Sequence, residues 1–245
     1  MDNFNFYMIS LDYCHERRKQ MYELYDINRL NHVEAYNGSK LEDYEDIILP
    51  EDYEKFAQPG EYGCSLSHIK AIKQAFDNGE QEVFIIEDDM HNTYSHLWEK
   101  SLKEIIKNKP EKTECLIFYT SNPAIRDFFK TKPDKEYLIC NWTWSTGCYY
   151  INRGGMRKIV KKYYKDGKID FSHASCRHDV IADANVLYKQ MRTYFYTRPT
   201  FIDCCEESII HPNQISIHKQ NHNWVVEYFE QKQNKHNFQE ICNER

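Results

Sequence analysis

A single α/β domain, with a mainly parallel central sheet flanked by helices, is the fold class that three features of the sequence predict. Short continuous apolar runs such as VFIIE (83–87) and ECLIFY (114–119) are how strands buried on both faces read. Other stretches space their apolar residues three or four apart, as helices packed on a sheet do. The two kinds of segment alternate along the chain, with no internal repeat and no low-complexity linker, which argues for one layered domain. At 245 residues the chain is long enough to bury roughly 70–75% of its unfolded surface.

The elements follow in order. Residues 5–11 (NFYMISL) make the first strand, and residues 15–24, with the basic run ERRK, a helix. Residues 31–38 (NHVEAYNG) form a short strand closing on an Asn-Gly turn. From Ser39 to Glu61 the chain is acidic and polar, as loops and short helical pieces are. Gly60 and Gly63 bracket a turn into a helix whose Leu66, Ile69, Ile72 and Phe76 form one stripe. Ser65 or Ser67 is expected to cap it, and Asn78-Gly79 to end it. The next strand is tipped by Glu87, Asp88 and Asp89. Residues 97–107 are expected to be helical, 114–119 a strand, and 120–147 irregular and aromatic. Strand 148–151 leads to a helix with Met156, Ile159, Val160, Tyr163 and Tyr164 on one face. Val180, Ala184, Leu187 and Met191 mark a further helix, and residues 194–197 a further strand. Residues 1–225 are assigned to the domain and 226–245 to a polar tail prone to fray.

Composition excludes several classes. A net charge of −6 gives no basic face for nucleic acid, whereas a bound metal would still let the protein take a small anion. No stretch approaches the roughly 20 apolar residues of a membrane span. The N-terminus, MDNFNFYMISLD, lacks the basic start and cleavage pattern of a signal peptide. Nine cysteines without C-x-x-C spacing point to reduced thiols, and together these features predict a cytoplasmic protein.

Four groups of residues could carry chemistry. Glu87, Asp88 and Asp89 stand where a strand leaves the sheet, the end at which open α/β sheets bind ligands. Carboxylates two apart can straddle Mg²⁺ or Mn²⁺ and so neutralise a departing diphosphate, or can be a solvated turn. The stretch Gly60–His68 offers free N–H groups at a helix start to an anion, although its spacing is neither a P-loop nor a dinucleotide fingerprint. Asp179, after His178, is a helix cap or a general base, and the two roles are compatible. His173-x-x-Cys176-x-His178 lacks a fourth zinc partner at suitable spacing. Trp142 and Trp144, two apart, share a face in an extended segment and could form a platform for a sugar, or simply belong to the core.

Taken together these segments resemble glycosyltransferase family 25, which includes bacterial lipooligosaccharide galactosyltransferases and collagen-modifying galactosyltransferases. The resemblance rests on FYMISLDYCHERRKQM, AYNG, GEYGCSLSHIKAIKQAF, FIIEDD and STGCYYINRGGMRKIV, in that order, with Asp179 before the next helix. It spans roughly residues 5–215 and implies a single glycosyltransferase-A domain on a Rossmann-like sheet. It further implies a UDP-galactose or UDP-glucose donor, Mn²⁺ (or Mg²⁺), and a glycan or glycoprotein acceptor. On this resemblance Asp89 is the main metal ligand, with Glu87 and Asp88 near the metal and ribose, and His218 or His211 completes the metal shell. Arg17, Asn37 and Gly38 would lie by the nucleotide, and Ser65 and His68 on the donor side. Asp179 would be the base for inversion, and Trp142 and Trp144 would face the acceptor. Cys204-Cys205 departs from the family, where Glu or Gln is common, and bears on the acceptor end. Two alternatives are a non-catalytic nucleotide-sugar or carbohydrate-binding module and a nucleotidyltransferase. The latter is disfavoured by the lack of an N-terminal G-x-x-G-x-R loop.

Overall fold

The computed structural model describes residues 4–132, 134–204 and 215–243. The N-terminal half comprises β1 (Phe6–Ser10), α1 (His15–Leu24), β2 (Leu30–Glu34), β3 (Ile47–Ile48), α2 (Pro59–Asp77), β4 (Glu82–Glu87) and β5 (Met90–His91). Next come α3 (Leu102–Asn108), β6 (Cys115–Ile117), α4 (Pro123–Thr131), β7 (Tyr137–Ile139), β8 (Cys148–Asn152) and α5 (Arg153–Tyr163). The chain continues through β9 (Tyr164–Lys165), β10 (Lys168–Asp170), β11 (Thr193–Tyr196), β12 (Ile202–Asp203) and α6 (Ile215–Asn243).

Seven strands form the central sheet in the order β2-β1-β4-β8-β6-β11-β7. Five run in one direction, and β8 and β7 run against them, so the expected mainly parallel sheet carries two reversed strands. The side-chain alternation of β4 builds both layers. Val83 and Ile85 face a core shared with α2 and α5, while Phe84 and Ile86 face one shared with α1 and α3. Because β1 and β4 are parallel neighbours with Ile9 opposite Glu87, their carboxyl ends open side by side.

Several boundaries differ from expectation for identifiable reasons. Helix α2 starts at Pro59, a residue suited to the first helical position. Its N-cap is Gln58, whose N–H donates to the Glu61 carboxylate at 2.9 Å, so neither Ser65 nor Ser67 caps it. Helix α3 begins only at Leu102, where Ser101 and Glu104 close a capping box. The segment 120–147 contains α4, entered through Asn122-Pro123, with Asn122 Oδ1 accepting from Ala124 N at 3.0 Å. The helix expected over 180–191 is instead a series of broken turns kinked at Ala184. Tertiary bonds hold that segment in place of its own ladder: Ser65 Oγ donates to the Val180 carbonyl, and Asp183 accepts from Ser145 N. The domain boundary expected at 225/226 falls inside α6. Val225 and Phe229 are buried there, and Phe229 stacks on Tyr94 with ring centroids 4.8 Å apart. Among the described residues no helix is long and apolar enough to cross a membrane.

Candidate active site

A cavity of about 590 Å³ opens at the carboxyl ends of β1 and β4. One wall is the exit of β1, the Ala35–Ser39 loop after β2, and the first turn of α2. Across it stand Glu87, Asp88 and Asp89, joined by Ser145, Asp203 and His218 from the C-terminal half.

The three acids have three different environments. Asp88 is buried and fixed, accepting from Ser10 Oγ at 2.6 Å and pairing with Arg17 at 3.4 Å. Burial raises its pKa above the usual carboxylate value, with Ser10 and Arg17 opposing. Burial would also raise Glu87, yet His68 and Thr146 hold it below the ordinary glutamate value. Their contacts to Glu87 Oε1 are 3.2 Å from His68 Nε2 and 2.7 Å from Thr146 Oγ1. Asp89 is pushed well up by burial and by repulsion from Glu87, Asp88 and Asp203, with Arg17 opposing. Its Oδ1 is buried and has no hydrogen-bond partner among the described residues. A buried carboxylate oxygen without a donor is costly, and a cation would satisfy it.

The chain returns to this spot through β12, which pairs antiparallel with β5 immediately after Asp89. Cys204 N donates to the Asp89 carbonyl at 2.9 Å, and Asp203 is buried beside it. Asp203 accepts from Tyr119 Oη at 2.8 Å and lies 3.4 Å from His218 Nδ1 and 3.2 Å from His222 Nδ1. His218 and His222 are one turn apart on α6, so Asp203 anchors that helix to the cavity floor. The carboxylates of Asp89 and Asp203 with the imidazole of His218 suit a hard or borderline divalent cation. His211 lies outside the described residues. Sequence reasoning missed Asp203, His222 and Tyr119. The available signal was Phe201-Ile202-Asp203, a second short apolar run ending in an acid.

Cys64, His68 and Glu87, unlike Asp89, Asp203 and His218, bring ligand atoms within 4.8 Å of one another. Both His68 nitrogens are already engaged, Nδ1 with Tyr149 Oη at 3.1 Å and Nε2 with Glu87. Burial, reinforced by Glu87, raises the Cys64 pKa and keeps the thiol protonated. The trio is a hydrogen-bonded support for Glu87.

Arg17, Asn37, Gly38 and His68, which the resemblance places by the donor, line the cavity. Gly38 and Gly63 let the Tyr36–Gly38 strand exit touch the first turn of α2. A Cβ on Gly38 would lie 2.5 Å from Pro59 O, and one on Gly63 2.8 Å from Tyr36 O. Ser65 does not belong to the donor side, because it is fully buried and spends its hydroxyl on Val180 O. Asp179 is also displaced from its expected role and is not on the cavity wall. Its Oδ2 accepts from Ser175 N and Oγ, each at 3.1 Å, and these bonds hold its pKa below the usual value against slight burial. Asp183, four residues on, stands behind the cavity wall, its Oδ2 accepting from Ser145 N at 2.8 Å. Burial pushes Asp183 up to about 6. Ser145 itself holds a φ of 95°, a strained value for a residue with a Cβ. Trp142 is 51% exposed and Trp144 partly buried, with Thr143 buried between them. Neither lines the cavity. His173 stacks on Phe171 with ring planes 9° apart, a packing role.

Comparison with known proteins gives a family. No curated protein matches the chain. Among solved structures, A197 from STIV is similar at a TM-score of 0.43 and 10% identity, covering 81% of this chain and 83% of that one. A nucleoside-diphosphate-sugar pyrophosphorylase from Vibrio cholerae gives 0.36 and 9%, over 82% of this chain and 77% of that one. A mannose-1-phosphate geranyltransferase from Thermus thermophilus gives 0.33 and 9%, over 79% and 73%. The model of glycosyltransferase family 25 (LPS biosynthesis protein) matches residues 3–173, a span that takes in β1, the first turn of α2 and the three acids. The chain therefore belongs to glycosyltransferase family 25 and is a glycosyltransferase.

Proposed function

We propose that the protein transfers a hexose, galactose or glucose, from a UDP-sugar to a glycan or glycoprotein acceptor, with inversion and with the help of Mn²⁺ or Mg²⁺. The observation that carries this reading is the buried Asp89 Oδ1, without a partner among the described residues, in a cavity that Asp203 and His218 also line and that is large enough for a nucleotide sugar. Asp89, Asp203 and His218 would hold the cation. When bound, it supplies charge neutralisation for the departing diphosphate. Asp88, pinned by Ser10 and Arg17, and the Asn37-Gly38 turn would receive the nucleoside at the β1 end. His68 and Thr146 fix the Glu87 carboxylate so that it meets the donor in one orientation.

Inversion requires a carboxylate to take the acceptor proton as the hydroxyl attacks. We assign that base to Asp183, which stands behind the wall residue Ser145 and would reach the acceptor by a shift of that loop, in place of Asp179. A carboxyl near 6 is ionised at neutral pH and basic enough to accept a proton, whereas Asp179 is committed to its own turn.

The test is release of UDP from UDP-galactose and UDP-glucose by the purified protein, with Mn²⁺ and with chelator, alongside Mn²⁺ affinity by calorimetry. Metal-dependent release that Asp89→Asn abolishes supports the reading. UDP-sugar binding without release by the wild type would favour a binding module instead.

A further inference from the structure

A strongly charged face lies outside the cavity. Residues 153–168 hold seven basic residues and one acid, a charge of +6 in a chain whose net charge is −6. Helix α5 buries Met156, Ile159 and Tyr163, and turns Arg157, Lys158, Lys161 and Lys162 to solvent. Lys165 and Lys168 continue the exposed face along β9 and β10.

This arrangement opposes stability. Arg157 and Lys161, and Lys158 and Lys162, are like charges one helical turn apart. Lys165 and Lys168 are directly opposed across the hairpin, where like charges also destabilise. Some relief comes from Glu114, 2.6 Å from Lys158, from Asp179 near Lys162, and from Asp170 near Lys165. Arg157, Lys161 and Lys168 have no ion pair among the described residues. The helix dipole favours Lys161 and Lys162 in the last turn but not Arg157 or the hairpin pair.

The face runs from the far end of the sheet, where Lys158 pairs with Glu114 just before β6, towards the cavity end at the hairpin. Phe171, just after β10, packs on Tyr62 in the first turn of α2, which lines the cavity, and Arg177 pairs with the neighbouring Glu61 at 2.5 Å. Ile48, 36% exposed, is paired with Asp170 and puts an apolar side chain at the edge of the basic face.

We propose that α5 and the β9–β10 hairpin dock the protein on an anionic lipid surface, with the cavity beside the contact. Five of the six exposed cations are lysines, which suit diffuse attraction to headgroups better than fixed bidentate recognition. Among the described residues no exposed aromatic side chain on this face offers a base-stacking platform, and exposed Ile48 suits insertion at a bilayer surface better than contact with a soluble polyanion.

The test is co-sedimentation of the full chain with phosphatidylcholine vesicles, with and without phosphatidylglycerol, at low and high salt. Binding is expected only with phosphatidylglycerol and should fall with salt. Each neutralised cation should weaken binding about fivefold, so Arg157→Gln, Lys161→Gln and Lys168→Gln together should cost about a hundredfold. A control combining Lys19→Gln, Lys55→Gln and Lys112→Gln should bind as the wild type does. Failure of the wild type to sediment, equal loss in the control triple, or preferential binding of soluble polyphosphate would each overturn the proposal.

Discussion

Asp89→Asn separates the metal site from the fold. In the metal-free protein this carboxylate is a liability, buried among Glu87, Asp88 and Asp203 with one oxygen unpartnered. The neutral amide removes that repulsion and brings two donors to the neighbouring carboxylates. Relief of a buried unsatisfied charged group is worth about 2 kcal/mol, so the chelator-treated variant should be more stable than wild type by that amount. For a chain of this size that is a rise of roughly 4–8 °C in Tm. The pH dependence has a definite sign. Unfolded Asp89 loses its proton near 3.8 and folded Asp89 at higher pH, so its contribution is fully present below 3.8 and lost as pH rises through the folded value. Metal-free wild type should therefore weaken over that window, and the variant should not. Added Mn²⁺ should reverse the ranking, since a hundredfold excess over Kd stabilises the native state by about 2.7 kcal/mol and the variant lacks the principal ligand. Thermal unfolding followed by circular dichroism, with chelator and with Mn²⁺, reads both effects. A variant less stable than wild type in chelator would refute the account of Asp89 as an uncompensated charge. An equal Mn²⁺-induced shift in both proteins would refute its role as a ligand.

Asp183→Asn should lower kcat by about a hundredfold or more with an unchanged Tm, whereas Asp179→Asn should stay within a few-fold of wild type; comparable losses would return the base to Asp179. Because the base must be ionised, kcat/KM should rise with pH through about 6, and that limb should vanish in Asp183→Asn. Gly63→Ala would force a Cβ to 2.8 Å from the Tyr36 carbonyl and should cost about 2 kcal/mol by denaturant unfolding, with weaker donor binding. Phe229→Ala should cost about 3–5 kcal/mol and strip hydrogen-exchange protection from α6, while an unaffected Tm would mean that this helix is not docked.

The fold was readable where local pattern and tertiary demand agree. VFIIE has to be a strand buried on both sides, because no amphipathic period runs through it, and the structure gives each of its four apolar residues to one layer or the other. Leu66, Ile69 and Ile72 likewise face the core of α2. The errors fall where tertiary bonds override the local period. Val180, Ala184 and Leu187 have helical spacing, yet Ser65 and Ser145 capture the backbone carbonyl and the carboxylate of that segment, and it breaks. The start of α2 was misplaced for a simpler reason: Pro59 and Glu61 are a first-turn proline and a capping acid, and the neighbouring glycines drew the turn reading onto themselves. Those glycines answer to packing, since the Tyr36–Gly38 backbone needs their missing side chains.

The site divides along the same line. The candidates formed by consecutive residues were visible: Glu87-Asp88-Asp89 and Asn37-Gly38. What stayed hidden is the half that depends on a return of the chain. Asp203 is separated from Asp89 by more than a hundred residues, and its strand is two residues long, too short for any period to register. Its place is fixed by the Cys204 N–H bonding to the Asp89 carbonyl and by two histidines one turn apart on α6. Those histidines are themselves readable as an i, i+4 pair, but only Asp203 gives the pair something to bind. The same tie changes the meaning of the C-terminal segment. A helix that brings His218 to the cavity and buries Phe229 beneath Tyr94 is a wall of the site, so loss of its packing should reach the His218–Asp203 contact before it reaches the sheet.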